Sequence, residues 1–257
     1  MVKGLDIFRE FFAGNTEQFV LIGGTAATLA MESAGLTFRA TKDLDIVLHI
    51  EALNPAFGGT FWNFVEQGHY EIRQASQTGK PVLYRFQKPA DARFPAMLEL
   101  FCRSPDGIKL SAGAHLTPIP LGEAVASLSA ILLENDYYQF IINGRKTINQ
   151  LPWIDAEQLI PLKARAWLDL SERKANGEPV DTRDIRKHAN DVLRLSQLLT
   201  SESDIQLAPR IRDDLAQFLG GIRADGGYDP RALQISGTTD EILSRIAKAY
   251  ELAKSEG

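Results

Sequence analysis

The 257-residue chain is poor in the residues that build disulfides and histidine-ligated metal sites: it has one cysteine, Cys102, and four histidines. A single cysteine excludes a disulfide within the chain and favours a reducing compartment. The histidines, His49, His69, His115 and His188, show no His-Asp or His-x-His pairing. That sets aside a metal-dependent phosphohydrolase, which would want several such ligands. No run of about eighteen apolar residues occurs, so no membrane span is expected. The N-terminus "MVKGLDIFREFFAGNTEQ" lacks the apolar stretch and small-residue cleavage site of a secretory signal, and a cytoplasmic location is expected. Positive charge is also short: 28 Lys and Arg stand against 33 Asp and Glu, a net charge of −5. A global basic field is therefore absent, and general binding along nucleic acid is not expected. A local basic patch for a nucleotide or an RNA is compatible with that balance.

What is present is an ordinary globular composition, 44% hydrophobic and 24% charged, on a chain long enough for one large domain or two modest ones. Leu5 to Phe12 reads as a short amphipathic helix. "FVLIGG" (Phe19 to Gly24) reads as a buried strand ending in a tight turn, and "TAATLAMESAG" as a helix closed by Gly35. A strand follows in "LDIVLHI", then a helix in "GTFWNFVEQGHY". Three β-type segments, "EIRQAS", "VLYRFQK" and "AMLELFCR", come next. Gly107 to Leu121 looks like strands and loops, and Glu123 to Leu133 is helical in composition. "YYQFIINGRKTI" suggests a hairpin turning at Asn143-Gly144. From Trp153 onward the pattern is helical, with Asn176-Gly177 closing one helix and Asp181 as the N-cap of the next. The expected architecture is α/β (α+β): strands and helices over residues 1–152, then an all-helical part over 153–257.

The chemistry concentrates in "TKDLDIVLHI" (Thr41 to Ile50). Residues two apart on a strand share a face, so Asp43 and Asp45 project together. Two neighbouring carboxylates repel, and one is pushed to hold its proton unless a cation intervenes. Hard oxygen donors in this arrangement suit Mg²⁺ or Mn²⁺ alongside substrate phosphates. For a bare Asp-x-Asp the commoner reading is a turn into a strand, with two solvated aspartates and Asp43 as a local cap. Upstream, "IGGT" places Gly23, Gly24 and Thr25 at a helix start, where backbone amides favour an anion.

Together these residues resemble the nucleotidyltransferase superfamily of the DNA polymerase β type, whose signature is Gly-Gly or Gly-Ser at a helix start, Asp-x-Asp on the next strand and a third acid on a later one. The nearest likeness is to the abortive-infection AbiE toxins (AbiEii and MenT-like proteins). It rests on Ile22-Gly23-Gly24-Thr25-Ala26, Arg39, Thr41 and Asp43-Leu44-Asp45-Ile46, and covers residues 19 to 48. Thr25 replaces the superfamily's usual Ser, and the stretch from Thr25 to Asp43 is longer than is typical. The resemblance implies a mixed sheet flanked by helices and followed by a helical bundle, and a metal-dependent transfer of an NMP from an NTP to a hydroxyl acceptor: tRNA or another RNA, a protein, or a small molecule. It also implies a toxin role with an antitoxin partner. The alternative is an inactive nucleotide- or partner-binding protein on the same fold.

For the third acid the sequence offers Glu99, inside the apolar "AMLELFC", where an unpaired buried carboxylate would be costly. An exposed edge strand would fit the same pattern. The competitor Glu71 lies in the more polar "YEIRQ". Asp43, Asp45 and Glu99 are thus the expected metal acids, and Gly23, Gly24, Thr25 and Arg39 the expected nucleotide contacts. In the helical part, Lys163 shares an apolar stripe with Leu159, Leu162, Ala166 and Leu170. Its stem can simply cover the core; the resemblance instead implies a lysine reaching triphosphate. Asp184 is read either as a nucleotide contact, by a loose likeness to the family's acidic motif, or as part of a helix N-terminus begun at Asp181. His188 is expected to be structural.

Overall fold

In a computed structural model the described residues are 2–72, 82–102, 131–132, 134–200 and 202–252. The chain divides into two compact units, Met1–Gly122 with Ile141–Asp155, and Glu123–Phe140 with Ala156–Gly257.

The first unit is built on a mixed sheet. Its strands are β1 (Phe19–Ile22), β2 (Asp43–Leu48), β3 (Glu71–Ile72), β4 (Val82–Gln87), β5 (Met97–Cys102), β6 (Arg145–Ile148) and β7 (Leu151–Ile154). They lie side by side in the order β3-β4-β5-β2-β1-β7-β6. β2 runs parallel to β5 and β1 parallel to β7; the other neighbours are antiparallel. Helices α1 (Leu5–Phe12), α2 (Gly23–Ser33) and α3 (Pro55–Gln67) complete the unit.

Register separates the two faces of the sheet, because facing residues of neighbouring strands point the same way. Leu44, Leu98 and Phe86 share one face. There Phe8 and Phe12 of α1 and Phe57, Phe61 and Phe64 of α3 form an aromatic layer that reaches Phe19 and Phe86. These phenylalanines are at most 1% exposed, so this face supplies much of the unit's apolar burial. The opposite face carries Asp43, Asp45, Glu99 and Arg85. Pro55 at the first position of α3 and the Asn54 side chain, which accepts from the Phe57 amide, fix where that helix starts.

In the second unit the helices are α5 (Ala156–Ala175), α6 (Thr182–Leu195), α7 (Pro209–Asp225) and α8 (Thr239–Ala249); α4 (Asn135–Asn143) precedes them in the chain. α5 packs on α6 and α7, and α7 on α8. Asp181 caps α6 through the Arg183 amide, and Thr238 with Glu241 forms a capping box on α8. Pro161 inside α5 lacks the N–H that would serve the Glu157 carbonyl. The Tyr250 hydroxyl donates to that carbonyl instead, at 2.9 Å.

Three expectations change. The hairpin turns at Asn149-Gln150, not at Asn143-Gly144, which ends α4. Asn149 and Gln150 both have positive φ, 50° and 62°, as a two-residue turn between right-twisted strands requires. The break between units falls after Asp155 rather than after residue 152, because Trp153 pairs with Leu21 in the sheet. Glu123–Phe140 goes with the helices: the Tyr137 hydroxyl donates to Asp214 Oδ2 at 3.0 Å. Gly107 to Leu121, most of Glu123 to Leu133, and most of "EIRQAS" lie outside the described residues.

Candidate functional site

The site starts at the junction of β1 and α2. β1 is buried along its whole length, and the chain passes straight from Ile22 into the helix at Gly23, with φ +62° there. A Cβ on Gly23 would overlap Asp45 Oδ2, and one on Gly24 would come within 2.7 Å of Thr41 Oγ1. The two glycines are therefore needed first for the close approach of β2 and the loop before it. The Gly24 amide donates to Asp45 Oδ2 at 3.3 Å, so Asp45 occupies the positive end of α2.

Thr25 faces β2. It is 0% exposed, and its hydroxyl donates to the Asp43 carbonyl at 2.8 Å. The expectation of a nucleotide contact there gives way to a brace that fixes α2 against β2. A hydroxyl at a helix start serves a ligand or a neighbouring strand according to what lies opposite, and the sequence does not contain that information. Thr28 returns its hydroxyl to the Gly24 carbonyl at 3.0 Å, which tightens the same turn.

Glu99 lies beside Asp45. The two face each other across the parallel pair β2–β5. Glu99 is 6% exposed. Burial chiefly, then the Glu99 charge, holds the Asp45 carboxyl well above the usual carboxylate range; Asp43 adds to this and the Gly24 amide opposes it. Neighbouring carboxylates repel, so the charge at Glu99 favours the protonated form of Asp45.

Sequence reasoning missed Arg85. It faces Glu99 across the antiparallel pair β4–β5, and its Nε and Nη2 converge on Glu99 Oε1 at 2.8 and 2.6 Å. A cation inside the short strand "VLYRFQ" was the available signal, but its partner is set by a register between strands that no local pattern encodes. Glu71, the competitor, lies on the sheet's β3 edge and pairs with Lys88 at 3.0 Å.

Among the described residues, no three His, Cys, Asp or Glu side chains are gathered as a ready metal cage. The acids fit a hard divalent cation in their donor chemistry and in the charge conflict at Asp45. Glu99 fits less well, since Arg85 already occupies one of its oxygens. Arg39 is half-buried in the loop leading to β2, its guanidinium 5.4 Å from the centre of the Phe38 ring.

The two remaining candidates belong to the helical unit. Lys163 is 6% exposed and its ammonium donates to Asp191 Oδ2 at 2.8 Å; Asp191 is 0% exposed. This is a buried ion pair between α5 and α6. Asp184 is half-buried in the first turn of α6, where a negative charge favours the helix dipole.

No family model and no curated protein sequence matches the chain. No helix among the described residues is long and apolar enough to cross a membrane.

Proposed function

We propose that the chain is a metal-dependent nucleotidyltransferase of the DNA polymerase β type, which moves an NMP from an NTP to a hydroxyl acceptor and releases pyrophosphate. One observation carries the reading: Asp43, Asp45 and Glu99 stand on one face of the sheet, with a glycine-led helix N-terminus directed at Asp45. Asp43 and Asp45 would hold Mg²⁺ or Mn²⁺, which neutralises triphosphate charge and polarises the reacting phosphoryl group. The chain's own part is positional. Thr25 fixes the strand end that carries Asp43. Gly23 and Gly24 let the helix approach Asp45, and Arg39 supplies positive charge before β2. In the reaction the acceptor oxygen bonds to the α-phosphorus, the α–β bridging P–O bond breaks, and pyrophosphate leaves with the electron pair. The hydroxyl proton passes to solvent.

RNA, tRNA and protein are the acceptors to test first, and by its likeness to the AbiE branch the protein would act as a toxin with a protein antitoxin. The protein is incubated with labelled NTPs, Mg²⁺ and either total RNA or lysate protein. Label should enter an acceptor with the wild type and not with Asp43→Ala/Asp45→Ala. Equal label from both proteins sinks the assignment.

A second reading is favoured by Arg85 on Glu99: an inactive nucleotide-binding protein on the same fold. It expects calorimetric NTP binding with no pyrophosphate release.

A further inference from the structure

The row Arg85–Glu99–Asp45 runs straight across three neighbouring strands. The Arg85 side chain is 20% exposed and that of Glu99 8%, so solvent screens the pair poorly. Guanidinium does not deprotonate in proteins, which makes its charge a permanent component of the cluster. Two of its donors meet a single oxygen, which leaves the Glu99 carboxyl fixed in orientation as well as compensated in charge. A divalent ion approaching Glu99 would have to come close to that guanidinium.

We propose that Arg85 is the cluster's built-in counter-cation: it takes the place of a second metal ion at Glu99, so that the site accepts one divalent ion, on Asp43 and Asp45. This rests on the cation reading of the site given above. Glu99 is then a positioning residue, set beside Asp45 by the register of β2 and β5 and held in orientation by Arg85. An Arg85 that served only to stabilise the fold would alter unfolding and leave ion binding as it is, or weaken it by loosening the cluster.

The test is Mn²⁺ binding without nucleotide, measured by calorimetry and by the loss of the free-ion resonance signal. Wild type should bind one Mn²⁺, and Asp45→Asn should lose most of that binding. Arg85→Met and Arg85→Gln remove the charge, and each should bind Mn²⁺ about tenfold more tightly or take up a second ion. Arg85→Lys keeps the charge and should behave as wild type. Arg85→Gln retains a hydrogen-bond donor toward Glu99 and serves if Arg85→Met fails to fold. If wild type binds Mn²⁺ and the folded neutral variants bind it with unchanged or lower affinity and the same stoichiometry, the role of Arg85 is overturned and the cation reading stands. If wild type binds no Mn²⁺, both fall together.

Discussion

At Gly23 the backbone takes a left-handed turn directly against Asp45, and this single residue couples the helix start to the acid cluster. Gly23→Ala should cost more than about 2 kcal/mol, combining left-handed strain of roughly 1–2 kcal/mol with the overlap on the carboxylate. Gly35 is the internal control: its φ is +73° and nothing lies within 4 Å of an added Cβ. Gly35→Ala should lose only the strain, and urea unfolding of both variants separates the two contributions. Asp45 gives a pH signature. Its folded carboxyl binds its proton more tightly than the unfolded one. The unfolded chain therefore loses that proton first, and stability falls as pH rises from the ordinary carboxylate range through the folded pKa. Asp45→Asn removes this slope, so its stability relative to wild type should be higher at pH about 8 than at about 4; unfolding midpoints across that range check it. The shared face of Asp43 and Asp45 follows from strand period alone, and Glu99 stood out as an acid in an apolar run. Arg85 and the inward role of Thr25 did not stand out, because each depends on a partner more than a dozen residues away.

Helices were more readable than turns. Asp181 and the Asn176-Gly177 stop behave as local chemistry dictates, since capping is decided within a few residues. Asn143-Gly144 misled because the dipeptide breaks helices as well as turning hairpins; here Asn143 is the last residue of a nine-residue helix. Two contacts between elements carry predictions. The Tyr250 hydroxyl fills the hydrogen-bond gap left by Pro161 in α5, so Tyr250→Phe should lose about 1 kcal/mol by removing that part-buried bond, read from thermal or urea unfolding. The buried Lys163–Asp191 pair joins α5 to α6. Lys163→Met should cost about 3 kcal/mol by removing the short ion pair of buried Asp191, which Arg194 Nη1 at 3.9 Å offsets only in part, and the double change Lys163→Met/Asp191→Leu should recover most of it. A double-mutant cycle on unfolding free energies measures this coupling.

At the scale of the whole molecule, composition and periodicity were enough to expect strands and helices followed by a helical part; the mixed sheet was implied by the family resemblance. The order of strands in the sheet was out of reach, because parallel neighbours such as β1 and β7 meet only after a long excursion of the chain. That excursion has a consequence for how the protein is made. β1 is 0–1% exposed in the finished structure, yet one of its two neighbours, β7, is contributed by residues 151–154. Strands β2 and β5, which carry the acids, leave the ribosome earlier. During synthesis the apolar "FVLI" must wait with one side unpaired, the situation in which a strand recruits another chain. A chain stopped at Gly122 should therefore sediment as aggregate where the full chain stays dispersed. Newly made protein would be most open to chaperone capture in the interval before residues 145–154 emerge.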